Sequence, residues 1–133
     1  MMGVWGAGIF ENDDALDWVY DLSDAGNLTK VSAALDVIIR EKDDHPEISD
    51  CRIGLAAAEI IAGMHSDPSP ELPEEAEEWI GDEVLKNDIL RSKAEHAVNA
   101  ILTDSELKDK WENSADYDIW KAVLENLLKR LEI

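Results

Sequence analysis

Apolar residues recur at intervals of three and four along almost the whole chain, and this spacing constrains the fold more than any other feature. It places one apolar stripe along each helix of a packed bundle. The first stripe comprises Ala15, Trp18, Val19 and Leu22, and others follow near residues 31–38, 76–84, 90–101 and 120–131. No segment sustains the two-residue alternation of a β-strand. The sequence therefore predicts an all-α fold of about six or seven antiparallel helices.

The 133 residues suit one globular domain, 1–133, with an apolar core of its own. The segment from about Ser49 to Met64 has few polar positions, which predicts the central and most buried helix. Three prolines fall within residues 66–73, so we expect an exposed connector there, inside the domain.

Short polar and glycine-containing segments mark the helix ends. Asn12 and the two aspartates after it precede the first stripe and can cap a helix, which Gly26 is placed to end. Pro73 suits the first turn of another helix, which Gly81 breaks or bends. Residues 103–106 have the spacing of a capping box before a short sixth helix.

The N-terminal residues 3–14 form a motif of particular residues rather than a periodic apolar pattern. Three glycines alternate with Trp5, Ile9 and Phe10, which predicts a Gly/Trp arm held against the core. The run resembles the opening of a bacterial family filed as domain of unknown function 4259. The matching residues are Gly3, Trp5, Gly6, Gly8, Phe10, Asn12, Asp13, Ala15, Asp17 and Trp18, whereas Val4 replaces a smaller residue. That family has no assigned activity, so the resemblance implies no catalytic residue.

The chain is strongly acidic, with 31 Asp and Glu against 12 Lys and Arg, a formal net charge of −19. Such a surface repels nucleic acid and anionic membranes, whose binding depends on Lys and Arg. Residues 11–24 contain six acids and residues 67–83 contain eight, with no base in either block. We therefore expect neither nucleic acid nor membrane as a partner.

The leading functional hypothesis is a non-enzymatic interaction module that binds a basic protein, in the manner of an immunity protein or antitoxin. The candidate binding residues are Trp5, Phe10, Asp14, Asp17, Asp21 and Asp24. The two aromatic residues are either core residues or the lining of a shallow groove ringed by acids. No catalytic residue, cofactor or metal ligand is assigned under this hypothesis.

The alternative is a divalent-metal-dependent enzyme that uses acidic residues. Asn12, Asp13, Asp14 and Asp17 carry oxygen ligands suited to Mg²⁺ or Ca²⁺, although helix capping also explains them. Glu59 lies among apolar neighbours, where a carboxylate is either a general base or paired with a cation such as Arg52. A third possibility is a homo-oligomer in which tryptophans meet across an interface.

Other reactive residue types give no local motif. The glycines at 3, 6 and 8 follow no strand and precede no lysine, so a phosphate-binding loop is excluded. The three histidines have no zinc-ligand spacing, and Cys51 is expected to be a buried apolar residue. No apolar run spans a bilayer and no leader is recognisable, so we expect a cytoplasmic protein.

Overall fold

The computed structural model describes residues 6–25, 27–65, 72–81 and 88–132. These residues form seven α-helices and no β-strand, which confirms the predicted all-α class. The helices are α1 (Asp13–Ala25), α2 (Leu28–Glu41), α3 (Ile48–His65), α4 (Glu74–Ile80), α5 (Asp88–Thr103), α6 (Glu106–Glu112) and α7 (Tyr117–Leu131).

Helix α3 is the centre of the molecule and packs against all six other helices. It can do so because its sequence is rich in small and apolar residues, and every position from Gly54 to Ala62 is buried. Gly54 allows α2 to approach α3 closely, since a Cβ atom there would lie 2.7 Å from Cγ1 of Ile38 on α2. The low polarity read from the sequence thus correctly indicated the central helix.

The remaining helices surround α3 and bury their apolar stripes against it. Helices α2 and α5 pack against each other as well as against α3, while α1 packs between α3 and α4. Trp18 and Trp120 are core residues, so these two are not available to a partner surface. No described helix combines the length and the apolarity needed to cross a membrane.

Two predicted helix ends, at Asn12 and Gly81, agree with the structure, and the one at α6 does not. Asn12 begins α1, because its Oδ1 accepts the Ala15 N–H at 2.8 Å. Gly81 ends α4 with a positive φ of 54°. At α6 the predicted capping box is wrong, since the N-cap is Ser105, whose Oγ accepts the Lys108 N–H. Gly26 and residues 66–71 of the connector lie outside the described residues.

Candidate functional site

The two acid-rich blocks of the sequence lie side by side in the fold, because α1 packs against α4. Helix α1 has five aspartates and α4 has four glutamates, and neither has a basic residue. Their exposed members are Asp13, Asp17, Asp21, Asp24, Glu74, Glu77 and Glu78, and we call this set the α1–α4 acidic surface. Some 50 residues separate the two helices in sequence, so only the folded chain brings these carboxylates together.

The α1–α4 acidic surface is not neutralised from within the protein. Arg52 of α3 reaches Oδ2 of Asp14 at 3.2 Å, and Asp14 is correspondingly half-buried. Among the described residues, no other carboxylate of α1 or α4 forms an ion pair. Of the sequence-predicted binding residues, Asp17, Asp21 and Asp24 are therefore exposed and unpaired. Asp14 is already paired with the side chain of Arg52.

Sequence reasoning missed Tyr20, which is 47% exposed on α1. It lies three residues after Asp17 and four before Asp24, and these spacings place the ring and both carboxylates on one helical face. The sequence could have indicated this exposure, because Tyr20 falls outside the apolar stripe that faces the core. That stripe comprises Ala15, Trp18, Val19 and Leu22.

The N-terminal loop is closed by a hydrogen bond to the side chain of Glu11. Glu11 Oε1 accepts the N–H of Gly8 at 3.0 Å. A Cβ atom on Gly6 would clash with the Glu11 carboxylate, which would have to move to make room for it. Beneath the loop, Arg52 and Trp120 help to line a cavity of about 20 Å³, which is room for a single water molecule.

Phe10 is 7% exposed and belongs to the core, so the structure leaves little of its ring available to a partner. Trp5, the other candidate aromatic residue, lies outside the described residues. The described part of the loop therefore packs Ile9 and Phe10 into the core.

The family model described as "Domain of unknown function (DUF4259)" matches residues 3–123, which is most of the chain. The chain belongs to the DUF4259 family. No curated protein and no solved structure gives a significant match. Membership in DUF4259 carries no activity, so functional argument depends on the geometry of the residues themselves.

Glu59, the buried carboxylate considered as a general base, is held by Arg130 of α7. The two side chains form a bidentate pair, with Nη1 to Oε2 at 2.8 Å and Nη2 to Oε1 at 2.6 Å. Glu59 is only 2% exposed, so the guanidinium compensates for the loss of hydration. The pairing with Arg52 considered from the sequence is wrong, because Arg52 binds Asp14 instead.

His45, which has no zinc-ligand spacing to another histidine in the sequence, is a second polar centre. Its Nδ1 lies 2.7 Å from Asp104 Oδ1, and its Nε2 lies 2.7 Å from Asp109 Oδ2. Only the imidazolium form donates from both nitrogens. The hydrogen bonds to Asp104 and then Asp109 raise the pKa of His45 above 6.5. The partners lie 59 and 64 residues away, beyond the reach of a local pattern.

The remaining candidates have structural surroundings. Cys51 is fully buried, and this burial raises the pKa of its thiol to about 12, which does not suit a nucleophile. His65 Nε2 contacts the backbone oxygen of Glu132 at 3.1 Å. Within the described part of the chain, no three His, Cys, Asp or Glu side chains are grouped to hold a metal ion.

Proposed function

We propose that this protein is a non-enzymatic interaction module that binds a basic protein through the α1–α4 acidic surface. The observation that supports the proposal is the adjacency of two helices that carry acids, no bases and one internal ion pair. A role like that of an immunity protein or antitoxin fits this charge, because such proteins cover the cationic surface of their target.

The charge acts first on the encounter between the two proteins. Unpaired carboxylates on one side of a −19 molecule attract a cationic partner over about a Debye length, roughly 8–10 Å at physiological salt. The same charge repels nucleic acid and anionic lipid. The partner class is therefore a basic protein, and association should be fast at low salt and slower at high salt.

Tyr20 supplies the short-range part of the contact. An arginine or lysine of the partner can stack on the Tyr20 ring while it donates to Asp17 or Asp24 on the same helical face. Aromatic residues surrounded by polar groups are frequent anchors of protein interfaces. Tyr20 and the exposed aspartates Asp17, Asp21 and Asp24 are thus the binding residues that we assign.

The alternative of a metal-dependent enzyme has no comparable support. Two of the carboxylates it would use are engaged by cations of the chain, with Asp14 bound to Arg52 and Glu59 bound to Arg130, although Asp13 and Asp17 are exposed. We further propose a bacterial cytoplasmic setting, in keeping with the single buried thiol of Cys51.

The proposal is tested by capture from a bacterial lysate at low and at high ionic strength. The test variant is Asp17→Asn/Asp21→Asn/Asp24→Asn, and a second variant is Tyr20→Ala. The matched control is Asp118→Asn/Glu125→Gln/Glu132→Gln, which removes three exposed acids from α7 and its C-terminal end. We expect the wild type and the control to retain the same basic protein at low salt, and both α1 variants to lose it.

Two results would contradict the proposal. One is the absence of any enriched basic protein on the wild type at low ionic strength. The other is an equal loss of the captured protein from the α7 control, because binding would then follow net charge rather than the α1–α4 acidic surface.

A further inference from the structure

The loop between α2 and α3, residues 42–47, is bound to the start of α6. The N–H of Glu106 donates to Pro46 O at 3.0 Å, and Glu106 Oε1 accepts the N–H of Ile48 at 3.3 Å. Pro46 is buried, whereas most of this 42–47 loop is exposed. A loop held by one buried residue and a few hydrogen bonds can open while the helices on either side stay folded.

His45 makes a further attachment, and this one depends on the charge of its ring. One ring nitrogen contacts Asp104 in the turn before α6, and the other contacts Asp109 of α6. The imidazolium donates to both carboxylates, whereas the neutral ring donates to one and turns a lone pair toward the other. Residue 45 also has a φ of 61°, a sparsely populated conformation that these contacts help to maintain. Loss of the ring proton therefore weakens the attachment and favours release of the loop.

The other charged groups around the 42–47 loop are mostly acidic or already engaged. On α6, Glu106 accepts the N–H of Ile48, and Lys108 pairs with Glu112. The loop itself has one exposed base and three exposed acids, which are Lys42, Asp43, Asp44 and Glu47. This surrounding charge favours the imidazolium, so the proton on His45 is the group whose loss changes the loop.

A pair of carboxyl groups flanks the loop where it joins its helices. Glu41 ends α2, and Asp50 lies in the first turn of α3. The Oε1 atom of Glu41 is buried and has no hydrogen-bond partner in the part of the chain that the structure describes. A hydrogen bond with Asp50 requires a proton on one of the two groups, and it is the main cause that raises the pKa of Glu41. Burial and the nearby charges of Asp50 and Glu47 act in the same direction, and Arg40 opposes them.

The two titrating groups act on the loop with the same sign. Glu41 and His45 both have a pKa raised above the ordinary value, 4.5 and 6.5 respectively. Each group therefore stabilises the closed loop below its unfolded pKa, and that contribution is lost as the pH rises through the folded pKa. The closed loop should thus be weakened progressively from mildly acidic to alkaline pH.

The 42–47 loop covers Cys51, the single cysteine of the chain. Cys51 is fully buried, and its Sγ lies 3.7 Å from Pro46 O. Ser105 and Leu107 contact the thiol from the side of α6. Because the buried thiol has a pKa of about 12, it does not react until the loop leaves α6. Cys51 therefore reports directly on opening of the loop.

We propose that the 42–47 loop is a pH-dependent conformational switch, closed over Cys51 while His45 is charged and released as His45 loses its proton. Release uncovers the first turn of α3 and the start of α6, while the rest of the bundle stays folded. The loop is separate from α1 and α4, so the inference does not depend on the basic partner.

Alkylation of Cys51 by iodoacetamide, followed by mass spectrometry of the full chain from about pH 5 to about pH 9, tests the inference. Each rate is divided by that of the urea-unfolded chain at the same pH, which cancels the titration of the free thiol. The normalised rate of the wild type should rise by about twofold to fivefold, as expected for the loss of exposed charged contacts.

Three variants identify the groups responsible. His45→Asn should react faster than the wild type near pH 6 and lose most of the rise, and Glu41→Gln, which cannot ionise, should show a smaller rise. The matched control is His96→Asn, which removes an exposed histidine of α5 and should behave as the wild type does.

The inference would be overturned by a normalised wild-type rate that does not change with pH, or by His45→Asn retaining the full rise. Hydrogen exchange separates local opening from global unfolding. The Glu106 amide should exchange with the same pH dependence as Cys51 alkylation, and more readily than the amide of Leu124 in the core of α7. Equal opening free energies for Cys51 and Leu124 would also overturn it. None of these results bears on capture through α1.

Discussion

Glu59 is tolerated in the middle of the central helix because a guanidinium from α7 meets it. Its two oxygens are bound by Arg130, so the buried charge is paired and both carboxylate oxygens have donors. The pair joins residues 71 positions apart and fixes α7 against α3. The sequence indicated that Glu59 was unusual, but it could not identify the partner, because that depends on how α7 crosses α3.

This pair leads to a prediction about stability. Arg130→Met leaves the Glu59 carboxylate buried and unpaired, and should lower the free energy of unfolding by roughly 3 kcal/mol at neutral pH. The double variant Glu59→Leu/Arg130→Met should recover most of this loss, since an apolar pair of similar volume replaces the ion pair. Urea unfolding measures both values.

The control for this pair is Asn126→Ala. Arg130 Nε also donates to Asn126 Oδ1 at 2.8 Å on the exposed side of α7, and the loss of that bond should change stability little. A double variant no more stable than Arg130→Met alone would show that the pair contributes through something other than compensation of the Glu59 charge.

His45 yields a prediction about pH. Its pKa is raised in the folded state by Asp104 and Asp109, so its contribution to stability is fully present below its unfolded pKa, about 6.5. That contribution is lost as the pH rises through the folded pKa. We expect the advantage of the wild type over His45→Asn in melting temperature to shrink as the pH rises from about 6 to about 9.

Asparagine is chosen because residue 45 has a φ of 61°, a region that asparagine tolerates. Asp109→Asn, which removes one of the two acceptors, should lower the pKa of His45 as followed by NMR of the imidazole. A melting-temperature difference that is independent of pH would contradict the assigned role.

At the scale of elements, the sequence was informative because each helix carries its own signal. The apolar stripes predicted five of the helices, low polarity predicted α3, and Asn12 and Gly81 marked two helix ends. The capping box at residues 103–106 failed because Glu106 accepts the backbone N–H of Ile48 at 3.3 Å instead of one in its own helix. A contact between α6 and the start of α3 competes with the local motif, and a local pattern does not contain that information.

Helix α1 gives a prediction of its own. Asp21 and Asp24 lie toward its C-terminal end, where the partial negative charge of the helix disfavours carboxylates, and no basic residue lies in the last turn. The variant Asp17→Asn/Asp21→Asn/Asp24→Asn should therefore gain about 0.5–1 kcal/mol in stability. Urea unfolding of this variant and of the α7 control provides the comparison.

A gain of this kind would show that α1 keeps its carboxylates at a cost to its own stability, as binding surfaces often do. It would also show that loss of partner binding in the same variant does not arise from unfolding. A destabilised variant would mean that these aspartates have structural contacts that outweigh the helix dipole.

At the scale of the whole molecule, the fold brings together acidic helices that lie far apart in the sequence. The sequence showed two acidic blocks and a net charge of −19, and three of its candidate binding residues, Asp17, Asp21 and Asp24, are exposed in the fold. It could not show that α4 packs beside α1, because that depends on which helices become neighbours around α3.

The most direct test of the central claim is the association rate of the captured basic protein with each variant, measured by stopped flow as a function of salt. The account predicts that the rate falls steeply with salt for the wild type and the α7 control. For the α1 triple variant it should be slower and depend less on salt, because rim charges act mainly on association. Equal rates and equal salt dependence for all three proteins would contradict recognition through the α1–α4 acidic surface.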